Sequence, residues 1–289
     1  MPTFPRRRKN GAAPKAARFS RLKRFGRRAD DKGGPRGRGI YLLPNAFTTA
    51  ALFCGFYAIV MAMNQRFEHA CWAVFIAMIL DGLDGRVARL TNTQSEFGAQ
   101  YDSLSDMVSF GAAPALVIYE WSLRGLGKWG WIAAFVYCAG AALRLARFNT
   151  NIEVVDKRFF QGLPSPAAAG VVVGFIMFMT DPDINISARQ VDWVSWCLAV
   201  FAGLTMVSNV PFYSFKDVNF RKSVPFIVVF LIVLALALVA SDPTKVLWPI
   251  FVVYGLSGYV VFVLQRARGK KVSLIPTDEP IENDKVERR

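Results

Sequence analysis

Between residues 40 and 266 the chain alternates long apolar runs with short polar connections. The runs lie near 42–63, 69–90, 102–122, 129–147, 164–180, 191–212, 224–240 and 246–264. A helix needs about 20 residues to cross hydrocarbon, and most of the runs come close to that length. The pattern predicts an all-α fold, a polytopic membrane helix bundle with about eight transmembrane helices. Small residues inside the runs suit helices packed in lipid: Gly170 and Gly174 form a GxxxG pair in the fifth run, which allows close approach. Pro114 is expected to bend the third helix and Pro211 to mark the end of the sixth, because proline lacks a backbone N–H and crowds the preceding turn.

The flanks are of a different kind. Residues 1–39 carry RRRK at Arg6–Lys9 and a second basic cluster between Arg18 and Arg28, with glycine and proline between them. Such a segment has nothing to bury and is expected to be a disordered tail. Residues 267–289 mix acids and bases and read as a second polar tail, which leaves 40–266 as the membrane domain. No secretory signal is expected, because the first apolar run starts far from the N-terminus and is too long for one.

Composition supports the membrane reading: 53% of the 289 residues are hydrophobic, and mean hydropathy is +0.30 despite the polar flanks. A net charge of +14 would suit a nucleic-acid binder, but its distribution follows topology instead. With a cytoplasmic N-terminus, every lysine and arginine except Arg66, Arg124, Lys128, Arg189 and Lys245 falls on the cytoplasmic side. The positive-inside rule then puts both termini in the cytoplasm and argues against a nucleic-acid partner. The basic tail fits either a topology signal or a contact with anionic lipid.

The four cysteines, Cys54, Cys71, Cys138 and Cys197, sit inside apolar runs without a CxxC pair and read as packing residues. His69 is the only histidine, which excludes a histidine-rich metal site.

The chemistry concentrates in DGLDGRVARLTNTQSEFGAQYDSLSD, from Asp81 to Asp106. Asp81 and Asp84 are three residues apart, Asp102 and Asp106 four, so each pair shares a helix face. Apolar sequence runs into the first pair and out of the second. A carboxylate in such a place costs roughly 2.5 to 3.5 kcal/mol to insert. Four that also repel one another call for a cation, and a divalent metal is the simplest one. Magnesium and manganese favour oxygen ligands, and two such ions can neutralise a diphosphate and hold attacking and leaving oxygens at phosphorus. Gly82, Gly85, Ala88 and Gly98 leave room beside the acids for a nucleotide, and Arg89 can meet remaining phosphate charge.

Asp81, Asp84, Gly85, Ala88, Arg89, Gly98, Asp102 and Asp106 together match the D-x-x-D-G-x-x-A-R-x8-G-x3-D-x3-D signature, and the stretch resembles the CDP-alcohol phosphatidyltransferases. The resemblance implies that Asp81, Asp84 and Asp102 are metal ligands and that Asp106 completes a two-metal site and acts as the base. It also implies that Gly85, Ala88, Arg89 and Gly98 hold the nucleotide diphosphate. A metal-bound carboxylate is a weak base, so the two roles of Asp106 compete. Three further stretches, YLLPNAFTTAALFCGF from Tyr41, ALRLARFN from Ala142 and FQGLPSPAAAG from Phe160, resemble the bacterial, membrane-embedded branch of that family that uses serine. That branch implies CDP-diacylglycerol and L-serine as substrates, two Mg²⁺ or Mn²⁺ ions, a homodimer, and a multi-pass protein of the inner membrane with its active site toward the cytoplasm.

The acceptor alcohol does not follow from the residues by physics alone. Arg144 and Arg147, one turn apart at the end of the fourth run, can bind a serine carboxylate or a lipid phosphate through a two-pronged contact, with Asn149 as a further candidate. Gly162, Pro164, Ser165 and Pro166 form a rigid break before the fifth run, suited to a loop over an acceptor or simply to a helix start. Glycerol 3-phosphate or an inositol would demand the same chemistry with more converging basic residues. A cation transporter is the remaining alternative, but transporter sites lie near the midplane between repeated halves. Here the acids gather toward one end, with no second copy of the motif.

Overall fold

The structure is a computed structural model that describes residues 42–150, 159–184, 186–213 and 226–267. The basic tail at 1–39 and the polar tail from residue 268 onward lie outside the described residues. Each of the eight apolar runs contributes helix: α1 (Leu42–Met63), α2 (Phe67–Leu90), α3 and α4 (Glu96–Asp106 and Ala113–Trp121), α5 (Lys128–Thr150), α6 (Ser165–Thr180), α7 (Asp192–Val207), α8 (Phe226–Ser241) and α9 (Pro243–Ala267). Among the described residues, three segments are long and apolar enough to cross a membrane, Leu43–Met63, Lys128–Thr150 and Pro243–Leu264, while α6 and α7 are shorter apolar helices. The protein is a mostly helical membrane protein.

The third run starts earlier than its apolar content implies. Ser95 is extended and its side chain accepts the Gly98 N–H at 3.0 Å, so α3 is capped at Glu96 and takes in Gly98 as well as both distal aspartates. Between α3 and α4 the backbone widens into a π-helical segment, Met107–Ala112, and Pro114 follows in the first turn of α4. Proline has no N–H for the helical ladder, and this wider winding is the form that the expected disturbance takes. The segment is buried, and Tyr137 on α5 donates its hydroxyl to the Phe110 carbonyl at 3.0 Å.

Small residues set the helix contacts. A Cβ on Gly140 would lie 2.4 Å from the Gly203 carbonyl oxygen, so α5 and α7 pack at backbone distance. The GxxxG pair works as its spacing implies: Gly170 receives the Phe251 ring and Gly174 the backbone of Trp248, both on α9. Gly55 on α1 lies against Ser109 of the π segment, where a Cβ would come within 2.6 Å of the serine hydroxyl oxygen.

Among the described residues, one element departs from an all-α fold. β1 (Phe159–Gln161) and β2 (Pro211–Tyr213) pair antiparallel, with Phe160 opposite Phe212. α7 therefore stops at Val207, short of Pro211, which begins a strand rather than ending the helix. Three-residue strands are too short to produce an alternation in the sequence. Gly162, with φ +79°, makes the turn from β1 toward α6, and a side chain there would strike the Met206 carbonyl.

The four cysteines are unpaired, and Cys71 is buried, in line with packing roles, although Cys197 is exposed. Side-chain contacts give the bundle two distinct ends. Thr48, Asp84, Ser105, Arg144 and Ser165 share one of them. Asp181, Thr244 and Lys245 share the other.

Candidate active site

The C-terminal half of α2 and the whole of α3 bring the four aspartates together. Ligand oxygens of Asp81, Asp102 and Asp106 all lie within 4.8 Å of one another. Across the helix pair Asp81 faces Asp106 and Asp84 faces Asp102. Asp84, beside Asp102, is 5% exposed and accepts a 2.7 Å hydrogen bond from Thr48 Oγ1 on α1. Asp102 Oδ1 is buried without a hydrogen-bond partner among the described residues. A buried, unsatisfied carboxylate oxygen is costly. Beside two further carboxylates, it fits a divalent cation bound by hard oxygen donors.

A cavity of about 380 Å³ opens against Asp84 and Asp102. Gly85, Ala88, Arg89 and Gly98, which the sequence marks for the nucleotide diphosphate, all line it, together with Asp84 and Asp102. Gly82 and Gly85 have open space where a Cβ would stand, so a ligand can reach the backbone there. Arg89 donates from Nε to the Gly85 carbonyl at 2.9 Å, which folds its side chain back along α2.

The opposite wall was not foreseen. It comes from Pro44, Asn45 and Thr48 on α1 and from Thr93 and Ser95 before α3. Asn45, Thr48 and Thr49 are polar residues at helical spacing in an otherwise apolar run, and that was the available signal. Thr49 shares a 2.9 Å hydrogen bond with Tyr101.

The two arginines of α5 have different surroundings. Arg144 is 8% exposed, donates from Nη1 to Ser165 Oγ at 3.0 Å, and lies within electrostatic reach of Asp106. Its Nε is buried with no partner among the described residues. Arg147 instead donates to the carbonyls of Gln161 (2.7 Å), Val207 (2.8 Å), Met206 (3.2 Å) and Ser208 (3.2 Å). These include the last carbonyls of α7, which lack partners within their own helix. Asn149 pairs with Ser103 of α3 at 3.0 Å, beside Asp102. Pro164 and Ser165 begin α6, so the rigid break is a helix start that also meets Arg144.

Two adjacent helices of an apolar bundle thus bring four aspartates together, two of which, Asp84 and Asp102, line the cavity. Residues 41–208 match the profile of the CDP-alcohol phosphatidyltransferases. The chain is 37% identical over 227 residues to a CDP-diacylglycerol--serine O-phosphatidyltransferase of Helicobacter pylori, covering 78% of this chain and 94% of that one. Proteins of the same name from Mycobacterium tuberculosis (32% over 236 residues, 77% and 79% covered) and Methanocaldococcus jannaschii (36% over 188 residues, 65% and 82% covered) are also similar. The chain belongs to the CDP-alcohol phosphatidyltransferase family and is a membrane enzyme.

Proposed function

We propose that this enzyme transfers a phosphatidyl group from CDP-diacylglycerol to the hydroxyl of L-serine, giving phosphatidylserine and CMP. The observation that carries the proposal is the convergence of Asp81, Asp102 and Asp106 beside a cavity lined by Gly85, Ala88, Arg89 and Gly98. The names of the similar proteins support serine as the acceptor.

In this reading Asp81, Asp84, Asp102 and Asp106 hold two divalent ions, Mg²⁺ or Mn²⁺. When bound, such ions neutralise the diphosphate and stabilise the CMP leaving group. Gly85 lets the diphosphate approach the backbone, Gly98 lines the same cavity with its N–H held by Ser95, and Arg89 takes up remaining phosphate charge. Asp106, on the side of the site nearest Arg144, receives the proton of the serine hydroxyl as that oxygen attacks the phosphorus bearing the diacylglycerol. Arg144 binds the serine carboxylate through its unpartnered Nε and the adjoining Nη, a geometry that a lysine cannot reproduce. Arg147 is the weaker acceptor candidate, because its donors already serve four carbonyls. Asn149, hydrogen-bonded to Ser103, supports the same side of the site in this reading.

The topology proposed with this function has about eight membrane crossings, both termini in the cytoplasm, and an active site facing the cytoplasm from the inner membrane. The acyl chains of CDP-diacylglycerol stay in lipid while its headgroup enters the cavity, and the enzyme is a homodimer. The test is CMP release by purified protein with CDP-diacylglycerol, Mn²⁺ or Mg²⁺, and a panel of alcohols. Release with serine above all others is expected. Preference for glycerol 3-phosphate or inositol would overturn the acceptor assignment while leaving the chemistry, and no release with any alcohol would overturn both.

A further inference from the structure

Asp84 differs from its three companions in accepting a hydrogen bond from α1. Thr48, 4% exposed on α1, donates from Oγ1 to Asp84 Oδ2 at 2.7 Å. The same hydroxyl lies 3.2 Å from the Pro44 carbonyl. It has a single hydrogen, and the shorter contact to a carboxylate is the stronger one. The backbone carbonyl of Thr48 in turn accepts from Ser105 Oγ at 3.1 Å, and Ser105 stands on α3 between Asp102 and Asp106. One residue of α1 thus bonds to both carboxylate-bearing helices, by its side chain to α2 and by its backbone to α3. Further along α1, Ser109 repeats the tie by donating to the Ala51 carbonyl at 3.0 Å.

A carboxylate turns easily about its terminal torsion. A ligand oxygen that must be aimed again at each binding event weakens the site, so partners that orient metal-ligating side chains govern affinity as well as geometry. We propose that Thr48 is a positioning residue of the transfer site: its hydroxyl fixes the orientation of Asp84 for a divalent cation, and its backbone helps to set the separation of the α2 and α3 carboxylate pairs. The inference rests on the reading of the aspartates as a cation site.

The experiment is Mn²⁺ binding to the purified full-length protein in lipid nanodiscs, read by electron paramagnetic resonance with no nucleotide or lipid substrate present. It compares wild type with Thr48→Val, Thr48→Ser and Asp81→Asn. Valine keeps the shape of threonine and removes the donor, and its affinity is expected to fall about tenfold or more, as at other supporting positions of metal sites. Serine restores the hydroxyl and should bind within about twofold of wild type, because the same hydrogen bond to Asp84 can form. Valine binding as tightly as wild type, while Asp81→Asn has lost the ion, overturns the role of Thr48. Undiminished binding by Asp81→Asn overturns the cation site itself. Should Thr48→Val not be recovered folded, Thr48→Ala compared with Thr48→Ser replaces it, and equal affinities for that pair overturn the proposal.

Discussion

The two ends of the bundle handle charge in opposite ways. At the far end, Lys245 meets Asp242 at 3.0 Å, Asp181 at 3.7 Å and, more closely, Asp183, while Arg124 pairs with Glu120 at 2.9 Å. Hydrogen bonds from Thr244 and from the Asp183 backbone also hold the Asp181 carboxyl below the ordinary carboxylate range. At the other end four aspartates converge with Arg144 as their nearest buried cation, and both Asp102 Oδ1 and Arg144 Nε lack partners among the described residues. The tryptophans divide in the same way. All seven, Trp72, Trp121, Trp129, Trp131, Trp193, Trp196 and Trp248, belong to the helix ends away from the aspartates. Indole rings favour the membrane–water boundary, and here they tie helices together as well, as when Trp196 Nε1 donates to the Trp129 carbonyl at 2.9 Å. The far end is arranged for stability. The aspartate end departs from the same rules, and departures of that kind mark functional sites.

The contrast is broken most sharply by alanine at Asp81, Asp84 or Asp102. Each is expected to abolish CMP release, a loss of about 10³-fold or more if electrostatic stabilisation at the phosphorus is removed. The protein should remain inserted, and Tm should not fall for Asp81 or Asp102, since each removes one of several repelling charges, whereas Asp84→Ala also loses the hydrogen bond from Thr48. Substantial release by any of the three would place the chemistry elsewhere.

Gly130 at the start of α5 probes the other end. A Cβ there would lie 1.9 Å from the Leu123 carbonyl oxygen, so Gly130→Ala must displace backbone. We expect a loss of stability of about 1 to 3 kcal/mol, as for other overpacked sites. It should appear as a lower Tm, with kcat of the folded fraction unchanged. A large fall in kcat without a fall in Tm would show that the ends are not independent.

The two arginines of α5 sharpen the comparison within the active end. Arg144→Lys should raise KM for serine about tenfold or more, the worth of a buried charged hydrogen bond, with little change in KM for CDP-diacylglycerol. Arg147→Lys should lower Tm instead, because the lost donors served the end of α7. A rise in KM for CDP-diacylglycerol in the Arg144 variant would reassign that residue to the lipid phosphate. The smallest effect is expected from deleting residues 2–35: turnover in detergent should stay near that of the full chain, and only the response to anionic lipid should change. Complete loss of activity by a folded deletion variant would make the tail part of the site.

Much of this was legible in the sequence because it is carried by residue type and spacing. The apolar runs became helices, and the eight signature positions fell on α2 and α3, six of them lining one cavity. What was not legible depends on partners distant in sequence. Arg144 and Arg147 share a helix and a spacing of three, and only the elements packed against them, Ser165 for one and the end of α7 for the other, separate their surroundings. The bond from Thr48 to Asp84 joins residues that no local pattern relates. Gly140 and Gly203 are single glycines in separate runs, so their mutual contact appears only once α5 and α7 are packed. The three-residue ribbon and the π segment after Asp106 are departures from regular helix that composition does not announce.

The most direct test of the central claim is the dependence of turnover on divalent metal, measured as CMP release from CDP-diacylglycerol and serine by the purified protein. In excess chelator release should cease, and added Mn²⁺ or Mg²⁺ should restore it in wild type but not in Asp102→Asn. Full turnover in chelator would contradict the account, because the four converging carboxylates would then have no cation to hold.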